Sequence, residues 1–458
     1  MADLPIKLKV NKRAVQQVEK LTGNNTQNKI FKTAQGTRDY SGVEFYKMKF
    51  LKGVAETVFK QFQCVPMDTP TFERRDLLMK KYGEEEKLIF DIKDSHKTDD
   101  VKSTHDDLEK ESWSLRYDHT IPLVRHVISN GVEKMIRCSI GPVYRMETMS
   151  KKQSRLRQFT QADVDFVGVF DRNLPEIKIF KIINMFFKRI GIEKYTIKYN
   201  YRDLLSHYVR SAGIADEKFK DVCISIDKLV KKGEQYVKDE LLERGLTNNN
   251  ITSLFALINQ GDFLEENVAR VNTELEELIE DYDVTNVKFD PTLARGLDYY
   301  TGIIFEVTLE GFESSVGGGG RYDNLVNSYK SDLNIPMIGF SFGLDRLMDF
   351  VKIHQTNVPT IIVFTIIQGT SEDDRRKLNK IKAQIIDRVL GCGYAVDYSF
   401  NDKKARKQLS KIAADPNYKF AIIIGMSELE TNSVSLKNLA TKTQTLISMN
   451  SIEDNIVF

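Results

Sequence analysis

Two arginine-bearing stretches carry the most specific chemistry in this chain. Gly141-Pro142-Val143-Tyr144-Arg145-Met146-Glu147 is followed, after a short polar run, by Arg155-Leu156-Arg157-Gln158-Phe159. Two strands joined by a basic loop can bring a guanidinium onto an α-phosphate through paired hydrogen bonds, and the Phe159 ring offers a flat face for a purine. Together these suit ATP; an ordinary hairpin with solvated arginines is the competing reading. Gln161 and Asp165, four apart on the second strand, project to one face by alternation and can hold a ligand ammonium, or else form the polar face of a strand. The run Gly317-Gly318-Gly319-Gly320-Arg321-Tyr322-Asp323 lacks the Gly-Lys-Ser/Thr ending of a phosphate loop and the spacing of a dinucleotide fingerprint, so Walker and Rossmann sites are rejected. Positions without side chains let backbone approach a substrate closely, the alternative being a flexible turn.

These residues need elements to position them. Val43, Tyr46, Phe50, Val54, Val58 and Phe62 recur at spacings of three and four, which predicts a helix that Pro66 and Pro70 stop. Glu84 to Asp107 is charge-rich and reads as a polar loop after a short strand at Leu88-Ile89-Phe90. Strand-like runs at Trp113 to Tyr117, Met135 to Tyr144 and Phe159 to Val169, with few crossover helices between them, favour antiparallel pairing. Leu174 to Asp281 turns to helical periodicity, broken at Asn248-Asn249-Asn250, and strands resume at Leu293 to Leu309 and Ile338 to Phe342. After Val358-Pro359 strand and helix alternate: Ile361 to Phe364, Arg375 to Leu390, Tyr394 to Ser399, Lys403 to Ala414, Phe420 to Ile424.

The expected fold is therefore an α+β core with a mixed, mainly antiparallel sheet flanked by helices, a helical insertion and a small C-terminal α/β domain. The boundaries are an N-terminal extension over 1–33, core over 34–173 and 286–356, insertion over 174–285, and a final domain over 357–458.

Composition bounds the function without choosing it. At 458 residues the chain exceeds one hydrophobic core, and 41% hydrophobic with 29% charged residues is ordinary for a folded, soluble protein. A formal net charge of +2 neither demonstrates nor excludes a nucleic-acid partner. Cys64, Cys138, Cys223 and Cys392 show no ligand spacing and read as free thiols of a reducing compartment. The histidines show no HExxH spacing, so no metal ligands are assigned. No apolar run reaches membrane-span length, and Asp3 and Glu19 interrupt the basic pattern of Lys7, Lys9, Lys12 and Arg13 that an organelle transit peptide would need. The expectation is cytoplasmic, with no membrane.

The strand, Arg145, Glu147, loop and Arg155-x-Arg157-Gln158-Phe159 together resemble motif 2 of the class II aminoacyl-tRNA synthetases. Gly343-Leu344-Asp345-Arg346 resembles motif 3, and the helix ending near Phe62 with the extended run to Pro70 resembles motif 1. Leu293-Ala294-Arg295-Gly296-Leu297-Asp298-Tyr299-Tyr300 and Leu115-Arg116-Tyr117-Asp118-His119-Thr120 are similar to signatures of the histidyl-tRNA synthetases. The resemblance implies that Asp118, Thr120, Gln161, Asp165, Arg295, Tyr299, Tyr300 and Gly318 bind histidine, and that Arg145, Glu147, Arg155, Arg157, Phe159 and Arg346 bind ATP. Arg295 and Arg145 are the implied catalytic residues. It further implies Mg²⁺ accompanying ATP, a homodimer through motif 1, and histidine tRNA as partner, with the final domain reading the anticodon. Lys403, Lys404, Arg406, Lys407 and Lys411 on one predicted helix can contact RNA phosphates or form a solvated face. His119 departs from the apolar or small residue that relatives more often carry.

An imidazole offers one N–H donor and one lone pair, so its selective recognition needs an acceptor and a donor, which Asp118 and Tyr300 can supply. Two rivals stand against this reading. One is a catalytically dead synthetase-like regulator, which would discard motif arginines; the other is a class IIa synthetase for threonine, proline or glycine, which would lack the imidazole pair.

Overall fold

The structure, a computed structural model, describes residues 31–82, 88–92, 112–148, 155–171, 173–261, 266–295, 299–352, 360–367, 369–398, 412 and 418–456. They fall into two compact units that divide between residues 353 and 354. Of the expected N-terminal extension only 31–33 is described, and the basic cluster from Lys403 to Lys411 lies outside the described residues.

In the first unit the helix Val43–Gln61 forms where the spacing placed it, but it buries Met48, Leu51, Ala55, Val58 and Phe59; of the expected stripe only Val58 is fully buried, and Tyr46 and Phe50 are exposed. β1 (Val65–Pro66) follows. β2 (Phe72–Arg74), β3 (Asp91–Ile92) and β4 (Trp113–Leu115) then form a small antiparallel sheet. The strand expected at Leu88-Ile89-Phe90 begins later, at Asp91, because Ile89 is drawn into a cluster with Leu78, Tyr117 and Ile121.

The main sheet adds β5 (Met135–Tyr144), β6 (Gln158–Val167), β7 (Tyr195–Tyr201), β8 (Val287–Phe289), β9 (Ile303–Leu309), β10 (Gly317–Arg321) and β11 (Met337–Gly343). Its eight strands run in the order β1-β5-β6-β11-β10-β9-β7-β8. The outer pairs β1–β5 and β7–β8 are parallel and the inner pairs antiparallel, the mixed sheet that was expected.

One face of this sheet is core. Ala162, Val164 and Phe166 of β6, Phe340 and Phe342 of β11 and Phe305 of β9 are buried there. The helix Leu174–Ile190 closes over them, with Phe186 at 4.2 Å from Phe342 and Phe180 at 5.3 Å from Phe305, centroid to centroid. Each such ring removed from water contributes about 1.5–3 kcal/mol. Pro175 stands in its first turn, and it is capped by Gly191, whose φ of 74° a side chain would resist.

The stretch read as a helical insertion therefore divides. Leu174–Ile190 and β7 belong to the sheet layer, and only from Arg202 to Asp281 is the chain a helical subdomain. The alternation of Tyr195, Ile197, Tyr199 and Tyr201 carries β7, but it is one short run between two strongly helical patterns. Asn248-Asn249-Asn250 begins a helix, with Thr247 Oγ1 accepting from the Asn250 amide at 3.2 Å. The run expected from Leu293 is strand only from Ile303.

The second unit has β12 (Thr360–Thr365), β13 (Ala395–Tyr398), β14 (Tyr418–Ile424), β15 (Ser433–Asn438) and β16 (Gln444–Ser448) in the order β13-β12-β14-β15-β16. Helix Glu372–Gly391, capped by Ser371, buries Leu378, Ile385 and Val389 against Ile361, Val363 and Ile422.

Candidate active site

The open face of the main sheet is laid out by register. Arg137, Asp165 and Gly339 stand abreast on β5, β6 and β11; Ser139, Asp163 and Ser341 form the next row, then Gly141, Gln161 and Gly343. Gly320 and Gly318 of β10 extend these rows beside Gly339 and Ser341, and Ile304 and Glu306 of β9 extend them further. Alternation turns all of these away from the phenylalanine core. The glycines keep the floor low. A Cβ on Gly320 would meet a Tyr300 ring carbon at 2.8 Å, one on Gly318 would come within 3.2 Å of Arg295 Nη1, and one on Gly339 would collide with Asp165.

One end of this floor is cationic. Arg346 is pushed down to about 10 by burial and by the positive charges of Arg295, Arg155 and Arg145, against the pull of Glu147. These four guanidiniums therefore lie close enough to feel one another's charge. Three are held by acceptors: Arg346 Nη1 by the Ser315 carbonyl at 2.7 Å, Arg295 Nη1 by Glu306 Oε2 at 2.7 Å and Ser315 Oγ at 2.8 Å, and Arg145 Nε by the Tyr117 carbonyl at 3.1 Å. Arg145 also lies 4.2 Å over the Tyr117 ring and 5.3 Å from the Phe159 centroid. Glu147 is 3.8 Å from both Arg145 and Arg155. Held but not neutralised, such a cluster is a site for a polyanion.

The other end is acidic and aromatic. Asp118 Oδ1 accepts from the amides of Thr120 and Ile121 at 2.9 and 3.2 Å, so this carboxylate caps the helix Thr120–Asn130. Tyr299 and Tyr300 lie with ring centroids 4.3 Å apart, and burial pushes the Tyr300 phenol well up, reinforced by Tyr299. Asp165 feels the charge of Asp118, and the Tyr300 phenol feels that of Asp165. Gln161 Oε1 is buried and has no hydrogen-bond partner among the described residues, an acceptor waiting for a donor.

Below them lies a buried ionic group. Arg137 is fully buried; its Nη2 donates to the His119 carbonyl at 2.8 Å and lies 2.8 Å from Asp165 Oδ2. Tyr322 donates to Asp165 through a short hydrogen bond. Burial lifts the Asp163 and Asp165 carboxyls above the usual range, against the pull of Arg137. The His119 imidazole is pushed down to about 3 by burial and by Arg137 and Arg116, which makes it a neutral ring between the Gly141 carbonyl at 3.3 Å and Ser139 Oγ at 3.4 Å.

The structure thus brings the expected residues into two adjoining groups. Arg157 stands apart, its stem packed on Gly36 and its amide bonded to the Gly36 carbonyl at 2.7 Å. Asp345, beside Arg346, receives the Thr160 amide at 2.7 Å and contacts from Arg38 and Tyr40, which fixes the Arg346 turn against β6. Sequence reasoning missed Arg137, Asp163, Glu306 and Tyr322. The alternation that selected Gln161 and Asp165 also selects Asp163 between them, whereas Arg137 and Glu306 needed strand register to be seen.

Comparison with known proteins gives a consistent result. The family profile described as Histidyl-tRNA synthetase matches residues 65–347, and that of the Anticodon binding domain matches residues 361–457. The chain is 31% identical over 452 residues to a cytoplasmic histidine-tRNA ligase of Oryza sativa subsp. japonica, covering 93% of this chain and 54% of that one. It is 32% identical over 445 residues to histidine-tRNA ligase 1 of Bacillus cereus, covering 93% and 97%. It thus spans about half the length of the rice relative and nearly all of the bacterial one. Its fold matches a crystal structure of histidyl-tRNA synthetase from Nostoc sp. PCC 7120 with a TM-score of 0.66 at 23% identity, over 93% of this chain and 98% of the other.

Proposed function

The chain belongs to the histidyl-tRNA synthetase family, with the class II fold, and on that footing we propose that it is an ATP-dependent histidine-tRNA ligase whose two reacting groups meet on the glycine floor. In the first step the histidine carboxylate attacks the α-phosphorus of ATP, the bond to the β-phosphate breaks, and pyrophosphate leaves with the electron pair. In the second a hydroxyl of the 3'-terminal adenosine of histidine tRNA attacks the acyl carbon, and AMP leaves.

The observation that carries this reading is the pairing of Arg295 and Arg346 on Ser315 and of Arg145 and Arg155 on Glu147, beside a glycine floor that holds the unfilled acceptor of Gln161. Arg295 and Arg145 neutralise the charge that builds on the α-phosphate, and Arg346 takes the γ-phosphate. Phe159 supports the adenine, with Arg155 and Glu147 around the nucleotide. The substrate carboxylate is already ionised at neutral pH, so positioning and electrostatics suffice and no general base is required. Asp118 and Tyr300 bracket the imidazole, Tyr299 backs Tyr300, Gln161 and Asp165 with Thr120 hold the ammonium, and Gly318 gives the room.

Mg²⁺ bound with ATP would screen the β- and γ-phosphate charge. The carboxylates beside the arginine cluster, Glu147 and Glu306, fit an ion held mainly by phosphate oxygens. The second unit serves the anticodon. A homodimer through the first helix is supported by Phe45, Tyr46 and Phe50 on its outer side and Val65 on the edge strand β1, all exposed in the single chain. A cytoplasmic site follows the naming of the rice relative, and no helix among the described residues is long and apolar enough to cross a membrane.

Retention of the motif arginines Arg145, Arg295 and Arg346 favours the enzyme over the dead regulator. Amino-acid-dependent pyrophosphate exchange across the twenty amino acids, then charging of purified tRNA, tests the proposal. Histidine alone is expected to support exchange; exchange with proline or threonine, or none, overturns it.

A further inference from the structure

The floor beneath the amino-acid end holds more acid than base. Asp163 and Asp165 stand two apart on β6 on the same face, almost fully buried. The groups that face Asp163 are Arg137, Ser139 and Arg145 from β5 and its extension, Ser341 from β11, Asp165 on its own strand, and Asp118 at the helix start. Facing Asp165 are Arg137, Asp163, Asp118, Tyr322 and Tyr300. His119 is neutral and the phenols are neutral, so three carboxylates confront two guanidiniums. Geometry does not quench the remainder. Asp163 Oδ1 and the Nε and Nη1 of Arg137 find no hydrogen-bond partner among the described residues. A buried carboxylate in that position must take up a proton or meet another cation.

We infer that Asp163 is a further specificity-determining residue of the amino-acid pocket. With Asp165 and Asp118 it leaves the floor in negative excess over Arg137 and Arg145, and that excess is the counter-charge for the ammonium of the incoming substrate. The inference rests on the histidine-binding reading above and adds a residue and a linkage to it. In the empty pocket the excess is held by a proton shared within the Asp163 and Asp165 pair, whose carboxyls burial pushes up to about 6. An arriving ammonium favours the ionised pair and displaces that proton, so affinity for histidine is greatest above pH 6 and falls as pH drops below it.

The linkage separates this role from a structural one. Because the ionised carboxylate is disfavoured in the empty pocket, Asp163→Asn is expected to leave the melting temperature at pH 7.5 unchanged or raise it. The same variant is expected to raise the KM for histidine at least tenfold, with kcat at saturating histidine and the KM for ATP within twofold of wild type. Asp163→Glu, which keeps the charge, is expected to recover most of the affinity.

A measurement on the unaltered protein reads the same charge. Calorimetry at pH 6, in two buffers of different ionisation enthalpy, is run with histidine and with imidazolepropionic acid, which carries the same ring and carboxylate and no ammonium. Histidine should release more protons on binding than the desamino ligand. Equal release by the two ligands, or an Asp163→Asn protein with unchanged KM, overturns the inference while histidine binding by wild type keeps the functional reading intact. Failure of the wild type to bind histidine overturns both.

Discussion

Arg295 Nη1 lies 2.7 Å from Glu306 Oε2, and the two residues reach each other across a glycine of β10 rather than through a neighbouring side chain. The pair sets the guanidinium over the floor before any ligand arrives, so its ordering is not a cost of the reaction step. Arg295→Ala should lower the rate of pyrophosphate exchange by about 10²–10³, the usual effect of removing one preorganised charge-stabilising donor. The KM for histidine should change far less. Glu306→Gln, which loosens the guanidinium without removing it, should fall between. Exchange near wild type in Arg295→Ala refutes the role.

The observed cap and the proposed ligand role of Asp118 can be separated by substitution. As a cap, it is replaced well by asparagine; as an acceptor for an imidazole N–H, it is not. Asp118→Asn should keep stability within a few tenths of a kcal/mol and raise the KM for histidine about tenfold or more. Asp118→Ala should show the same KM effect and lose a further ~1 kcal/mol in denaturant unfolding. Equal stability for the two variants would remove the cap from the account.

The glycine floor predicts a graded series. Gly318→Ala meets only the end of the Arg295 side chain at 3.2 Å, so the protein should fold and lose mainly the adenylation rate. Gly320→Ala meets the Ile303 carbonyl at 2.7 Å and the Tyr300 ring, and Gly339→Ala meets Asp165 and Tyr322. Both should lose about 1–3 kcal/mol of stability as well as histidine binding, measured by thermal unfolding and calorimetry.

His119 contributes to the acid limb of stability. Its folded pKa is pushed down to about 3 from the ordinary 6.5. The unfolded chain therefore binds more protons across that window, and stability is lost as pH falls from 6.5 toward 3, by up to about 1.4 kcal/mol per pH unit. Asp163 and Asp165 oppose this slope between about pH 6 and 4 because their pKa values are raised. Replacing His119 by leucine should flatten the acid side of the unfolding curve relative to wild type, and an unchanged curve would contradict a neutral buried ring.

Much of this molecule was legible from spacing. The period-two runs of β5 and β6 appear within a residue or two of where they were read, as does the helix that buries Met48 through Phe59, because each carries a long repeat of one period. β7 was lost inside a helical region because seven residues between two helices present too short an alternation to compete. The glycine run, left in sequence between a close-approach surface and a flexible turn, is strand β10, and Arg295 and Tyr300 lie where side chains on Gly318 and Gly320 would stand.

The candidate site was legible wherever a motif carried a charge. Arg145, Arg295 and Arg346 announce themselves by type and context. Arg137 does not: in sequence it is one basic residue in an apolar strand, and only the pairing of β5 with β6 shows that it sits opposite Asp165 in the interior. Asp118 was read for its ligand and not for its cap, because capping depends on where a helix begins to within one residue.

The order of strands in the main sheet has a temporal consequence. β6 and β11 are hydrogen-bonded neighbours at its centre, yet a whole helical subdomain is synthesised between them. No amino-terminal fragment can own half a working pocket, since its inner wall arrives only after the ribosome has passed Gly343. The candidate site is therefore among the last features of its unit to be assembled, closed by long-range pairing of the slow kind.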